Sequence, residues 1–379
     1  MEDKISLFTE AIKVILFQKI QPERAFDIAF KKLNFQGDRR SLYLSFLDII
    51  KGFQYVSYIN PELSIREKVI RAIDCDYDPL YSFPNWILER LLPILGKDGL
   101  RKIYNKFYWI RVNTLKADVD KVVRSLEAQG FTLVQDDFPF LFKVDKWYKI
   151  SKTEEYKLGH IIPQDKAAVL AVKVLDPKPY ETIIEIGAAP GIKTSLIQQF
   201  TDNKSRVISI DISSKRLKIQ QELMKKWNVK NVELIQADGT RFPAIKGDKI
   251  FIDAPCSNSG TINADPSVYM RLTKSELMRL IQLQSRILRE SSKLKKEVVY
   301  VTCSLFPEEG EKIVEKYQKY LRKINNKEDM YGYLKSKVWL RVMRTYPHIH
   351  GSEGFFIAKL CFEEDSESLL GNSYLLHKP

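Results

Sequence analysis

From residue 161 onward the sequence repeats one pattern: a short run of β-branched and apolar residues, a turn, then an amphipathic stretch with helical spacing. The runs are Ile183–Ile186, Val207–Ile210, Val232–Ile235, Ile250–Ile252 and Val298–Val301. A strand that is apolar along nearly its whole length, rather than at alternate positions, is one buried on both faces. Strands of that kind separated by helices predict a mostly parallel α/β sheet covered on both sides. Two later runs, Trp339–Met343 and Phe355–Leu360, are expected to form the antiparallel edge of the same sheet.

The upstream sequence has a different texture. Apolar residues recur at helical spacing in Ile5–Ile20, and Pro22-Glu23 opens a second helix. Gly37-Asp38 breaks the pattern before Ser41–Tyr58, where Leu42, Phe46, Ile49, Ile50 and Phe53 form one apolar stripe. An all-helical domain over 1–75 follows. Between 76 and 158 a helix at Trp86–Leu95, strands at Tyr108–Val112 and Phe140–Val144, and a helix at Val119–Gln129 predict a small α+β module. The sheet-bearing domain takes 159–379.

At 44% hydrophobic and 29% charged residues, the composition is that of an ordinary globular chain. No apolar run approaches the roughly 20 residues that span a bilayer, and the start, MEDKISLF, lacks a signal-peptide plan. A cytoplasmic chain without a membrane partner is expected. The formal charge of +13 points to a polyanion, although charge does not separate RNA from DNA. Cys75, Cys256, Cys303 and Cys361 form no CxxC pair, so neither a metal site nor a disulfide framework is expected.

The strand ends carry the chemistry. In an open α/β sheet, ligands bind at the carboxyl ends of the strands. Glu185-Ile186-Gly187-Ala188-Ala189-Pro190-Gly191 is a small-residue turn into the helix Ile192–Phe200, where backbone can approach a ligand closely. The next strand ends in Asp211, placed to accept both ribose hydroxyls, and the third in Ala237-Asp238-Gly239, placed to receive an adenine amino group. Together these predict an adenosine-bearing cofactor, either a nicotinamide dinucleotide or S-adenosyl-L-methionine.

Two cysteines then choose between them. The fourth strand closes in Asp253-Ala254-Pro255-Cys256-Ser257 and the fifth in Thr302-Cys303-Ser304, so both thiols should face one crevice. A helix expected to begin at Glu308-Glu309 would stabilise a Cys303 thiolate. Methylation of a pyrimidine at C5 needs such a group: a thiolate adding to C6 makes C5 nucleophilic towards a sulfonium methyl. Asp253 is placed for the N3 edge of the ring. Spacing leaves either cysteine as the attacker. It leaves the alternatives of a DNA cytosine methyltransferase attacking through Cys256, a nicotinamide oxidoreductase, and a non-catalytic RNA-binding or assembly factor. The oxidoreductase would leave the paired cysteines unexplained.

In order along the chain, Arg111-Val112-Asn113-Thr114-Leu115-Lys116, Gln164-Asp165, Ala188–Gly191 with Lys193-Thr194, Asp211, Asp238, Asp253–Ser257, Tyr300–Ser304, Glu308-Glu309, Pro347-His348 and Gly354–Ala358 resemble the Nop2/Sun (Fmu) family of RNA 5-methylcytosine methyltransferases. The resemblance covers roughly residue 80 to the C-terminus. It implies a Rossmann-like class I methyltransferase domain, an RRM-like character for 76–158, and S-adenosyl-L-methionine as cofactor. It also implies Cys303 as nucleophile, Cys256 as the group that helps resolve the adduct, and Asp253 and Lys193 in the catalytic set. Cofactor contacts are implied for Ala188, Ala189, Pro190, Gly191, Lys193, Asp211, Arg216, Asp238 and Asp253. Residues 1–75, with Gly37-Asp38-Arg39-Arg40, resemble a NusB-type helical extension. That likeness favours ribosomal over transfer RNA as substrate, for a monomer with no obligate protein partner. The chain departs from the family at Gly187, where Cys is usual, at Ile192, where Gly is usual and a narrower cofactor loop is expected, at Asn258, where Gly is usual, and at Gly310 within the Glu-Glu-Asn-Glu run.

Overall fold

The structure, a computed structural model, describes residues 2–241, 246–325 and 329–363. The end of the expected third domain, 364–379, lies outside the described residues.

Four helices come first: α1 (Glu2–Gln18), α2 (Pro22–Lys32), α3 (Arg39–Ile59) and α4 (Ile65–Ala72). The expected break at Gly37-Asp38 is a cap, because the Asp38 carboxylate accepts from the Arg40 and Ser41 amides. All five residues of the α3 stripe are buried, packed against Leu7, Phe8, Ile12 and Phe26 of the first two helices. This region is tied to the rest of the chain through the buried Gln54. Its Nε2 donates to Pro266 O at 2.8 Å and to Tyr104 Oη at 3.2 Å.

Next comes a four-stranded antiparallel sheet of β1 (Trp109–Val112), β2 (Leu133–Gln135), β3 (Leu141–Val144) and β4 (Ile161–Pro163), in the order β2-β3-β1-β4. A helix, Val119–Ala128, follows β1, and two short helical segments precede β4. The chain order β-α-β-β-α-β is that of the split βαβ units. Strand β4 stands just beyond residue 158, where the sequence reading ended this module, yet it pairs with β1 and so belongs to this sheet. Fully buried Arg111 on β1 locks this sheet to the next part. Its guanidinium donates to Gln164 Oε1 and Ser195 Oγ, both at 2.6 Å, and to Gln199.

The third part is an eight-stranded sheet of β5 (Thr182–Ile186), β6 (Arg206–Asp211), β7 (Val232–Gln236), β8 (Lys249–Asp253), β9 (Glu297–Thr302), β10 (Leu321–Arg322), β11 (Met343–Arg344) and β12 (Phe356–Cys361). Strands β7-β6-β5-β8-β9 are parallel, and β12, β10 and β11 add the antiparallel edge. The apolar runs divide by alternation, as a doubly covered sheet requires. Ile183, Val207, Phe251 and Val299 face one core, with helix Lys166–Leu175. Ile184, Ile208, Ile250 and Val298 face the other, with helix Lys274–Ser292. One expectation fails at the edge: Trp339–Val342 is a turn closed by Arg341 N donating to Val338 O, and pairing begins only at Met343. Among the described residues no helix is long and apolar enough to cross a membrane.

Candidate active site

Strand order reverses between β5 and β8, and in sheets of this class the crevice beyond such a point holds the ligand. A cavity of about 640 Å³ lies there. Its walls bring together Lys193, Asp211, Arg216, Asp238, Asp253, Cys256 and Cys303, seven of the residues singled out by sequence. The Ala188–Gly191 turn borders the cavity without lining it. Ala188 and Ala189 are buried, and a β-carbon at Gly191 would come within 2.7 Å of Gln220 and Met224.

The first departures acquire reasons here. Gly187 has φ +78°, and a β-carbon there would lie 2.2 Å from Asp253 O, so in this chain β5 and β8 approach too closely for a side chain. Ile192 does not line this cavity. It lines a separate cleft of about 380 Å³ between the two sheets, together with Trp109, Gln164, Asp165 and Glu353.

The Asp211 carboxylate is already organised: it accepts from the Ala189 amide at 3.3 Å and the Ser213 amide at 2.9 Å, and pairs with Arg216 at 3.1 Å. Asp238 accepts from the Thr240 amide and hydroxyl, and the amide bond foremost lowers its pKa. Both carboxylates are thus fixed in position beside apolar Ile212, Leu283 and Ile287. Two acids flanking an apolar slot fit an adenosine, whose hydroxyls and amino group need acceptors and whose base needs apolar faces. Among the described residues no His, Cys, Asp or Glu cluster could hold a metal ion.

Lys193 donates to Asp253 Oδ2 at 2.6 Å. Burial alone would lower the lysine's pKa, but the charge of Asp253 and the hydrogen bond to it outweigh that, so the ammonium is held above its usual range. The two sulfurs lie 2.9 Å apart, and Cys303 Sγ donates to Asn258 Oδ1 at 2.9 Å. The hydrogen bond that the neutral thiol shares with Cys256, then burial, then the charges of Cys256, Asp253 and Glu353 push the Cys303 thiol well up. The helix expected to stabilise a Cys303 thiolate does not take that form. Pro307–Glu309 is a single 3₁₀ turn and Glu311–Val314 a four-residue helix, and the thiol is raised, not lowered.

Three groups that shape the site had no assigned role in the sequence reading. Fully buried Glu309 accepts from Ser257 N at 2.9 Å, from Gln284 Nε2 at 2.9 Å, and from the hydroxyls of Ser257 and Ser304. It therefore joins the two cysteine-bearing loops. Glu353 lines both cavities, and burial together with neighbouring Asp165 pushes it up to about 8. Glu185, at the end of β5, is pushed up to about 8 by burial. The Glu-Glu spacing hinted at the first. Nothing in the sequence marked Glu353, and Glu185 stood out only as the first residue of the small-residue turn, although it is buried against Thr194 and Ser209.

Residues 172–361 match the family described as 16S rRNA methyltransferase RsmB/F. The chain is 28% identical over 342 residues to a mouse 28S rRNA (cytosine-C(5))-methyltransferase, covering 80% of this chain and 42% of that protein. It is 35% identical over 218 residues to a tRNA (cytosine(72)-C(5))-methyltransferase of Pyrococcus horikoshii, covering 56% of this chain and 54% of that one. The chain thus spans about half the length, or less, of these relatives. The solved structure of PH0851 superposes with a TM-score of 0.79 at 26% identity, covering 96% of this chain and 99% of that one.

Proposed function

This chain belongs to the RsmB/F family of 16S rRNA methyltransferases, the Nop2/Sun group, and from that premise we propose that it is an S-adenosyl-L-methionine-dependent RNA cytosine-C5 methyltransferase. The observation that carries the reading is the convergence of Cys303, Cys256, Asp253 and Lys193 on one cavity whose far end presents Asp211 and Asp238. When bound, S-adenosyl-L-methionine supplies an electrophilic methyl group. Asp211 and Asp238 would hold its adenosine, with Arg216 and the Ala188–Gly191 turn fixing Asp211 from behind.

The remaining chemistry falls to the chain's own residues. Cys303 is the nucleophile: its sulfur bonds to C6 of the cytosine, and the ring electrons shift towards C5. Asp253 carries the thiol proton to N3, so the charge developing in the ring is neutralised as the S–C6 bond forms. Lys193 holds the Asp253 carboxylate at the ring edge. After C5 is methylated, a base removes the C5 proton, N3 gives its proton back, and the electron pair of the breaking S–C6 bond returns to sulfur. Cys256, 2.9 Å from Cys303, assists that release.

Ribosomal RNA is the favoured substrate, consistent with the family description and the mouse relative. Transfer RNA remains a second reading because of the Pyrococcus relative. We further propose that a NusB-like domain (1–75) and an RRM-like module (76–158, with β4 closing its sheet) dock the RNA, and that the chain works as a cytoplasmic monomer. A base buried in structured RNA must be splayed out to reach the sulfur. Incubating the protein with methyl-labelled cofactor and separate ribosomal RNA, transfer RNA and DNA tests all three substrates. Cys303→Ala should abolish transfer, and Cys256→Ala should accumulate a covalent protein–RNA complex. Full activity in Cys303→Ala with loss in Cys256→Ala would instead establish the DNA-type attack.

A further inference from the structure

Asn258 stands where the two thiols meet, and the chemistry above does not use it. Its backbone is left-handed, φ 58°, a conformation asparagine tolerates better than most residues bearing a β-carbon. Its Oδ1 accepts from Cys303 Sγ at 2.9 Å and lies 3.7 Å from Cys256 Sγ. Its Nδ2 makes no hydrogen bond among the described residues, and the exposed side chain borders both the main cavity and a neighbouring one lined by Lys19 and Arg271.

Cys303 has to lose its proton in a setting that opposes it. Cys256, Asp253 and Glu353 all face it and favour the neutral thiol, and the facing cation, Lys193, is tied to Asp253. A carboxamide is suited to this problem because its acceptor and donor ends are nearly the same size. A half-turn of the amide exchanges Oδ1 for Nδ2 at the Cys303 sulfur and, among the described residues, gives up one other side-chain bond, the long one from Cys256 Sγ at 3.7 Å. We propose that Asn258 is a catalytic residue that follows the proton: its oxygen accepts from the Cys303 thiol at rest, and its Nδ2–H donates to the sulfur once the proton has passed to Asp253, aiming the thiolate at the ring.

The inference rests on Cys303 being the attacker, and its test can fail independently of that reading. The measurement is the pH dependence of Cys303 alkylation by iodoacetamide, resolved from Cys256 by peptide mass spectrometry on the full reduced chain. Asn258→Gly keeps the left-handed backbone and removes the amide. Asn258→Asp keeps the shape and replaces the donor with a charge. The alkylation midpoint should rise by about one pH unit in Asn258→Gly, the scale of losing one hydrogen bond to an ion, and further in Asn258→Asp. Methyl transfer at neutral pH should fall about tenfold in Asn258→Gly, following the thiolate fraction, with RNA and cofactor affinities unchanged. A midpoint in Asn258→Gly equal to or below that of the wild type overturns the proposal. Methyl transfer surviving in Cys303→Ser would sink the nucleophile assignment, whatever the midpoints.

Discussion

Glu185 shows how far a single residue in this site departs from its behaviour in water. Its side chain is almost wholly buried, with Thr194 Oγ1 donating to it, and burial raises its pKa from 4.5 to about 8. The folded chain therefore holds a proton that the unfolded chain releases above pH 4.5. The stability linked to that proton is fully present below 4.5 and is lost as pH rises through 8. Glu185→Gln keeps an acceptor for Thr194 and never ionises. Its melting temperature should exceed the wild type's by a margin that widens from pH 5 to pH 8, roughly 2–4 °C for each kcal/mol relieved. Parallel melting curves across that range would show the carboxyl to be ionised already. Asp253 makes a different demand, because its proposed role passes a proton through it. Asp253→Asn should slow single-turnover methyl transfer by roughly 10²–10⁴-fold, the range for a positioned proton carrier, while cofactor binding measured by calorimetry changes far less.

At the scale of elements, the site depends on two loops held in register by what lies beneath them. Glu309 ties the Ser257 and Ser304 loops together, and the buried Arg344–Glu311 pair supports Ser304 from below, with Arg344 Nη1 donating to Ser304 O at 2.6 Å. Gly310 sits between these groups, and a β-carbon there would come within 2.7 Å of the Phe356 ring and 3.0 Å of Arg344 Nη2. Restoring the family's asparagine, Gly310→Asn, should therefore cost about 1–3 kcal/mol through overpacking, read from the urea midpoint. An unchanged midpoint would mean that the loop moves freely. The parallel strands were legible because each is a β-branched run long enough to show its doubly buried character. The three-residue strands β2 and β4 carry too few residues to show any period, and Trp339–Leu340 looked like a strand because a turn can be apolar too. The acids and cysteines at strand ends were legible because topology places strand ends together. The facing of Asn258 and Glu353 towards the same sulfurs depends on side-chain direction, which a linear pattern does not encode.

Across the whole molecule, the helical region reaches the site instead of standing apart from it. Gln54 grips the Pro266 carbonyl and Lys19 Nζ lies 3.4 Å from Met270 O, both in the segment that follows Cys256. The corner between α1 and α2 supplies Gln21 to the cofactor cavity and Lys19 to its neighbour. With a net charge of +13, RNA binding should be dominated by counterion release. A chain neutralising six to ten phosphates would lose roughly 10³–10⁵ in affinity between 50 and 200 mM salt. Lys19 is exposed at the mouth of the site, where the backbone flanking a splayed-out base would pass. If it meets a phosphate there, Lys19→Glu should weaken RNA binding by a similar factor for every sequence and reduce the slope of log affinity against log salt by about one. Fluorescence anisotropy with a labelled ribosomal RNA fragment over a salt series reads both quantities. A slope equal to the wild type's would place the RNA path elsewhere, and the contacts of Gln54 and Lys19 would then serve to brace the Cys256 loop.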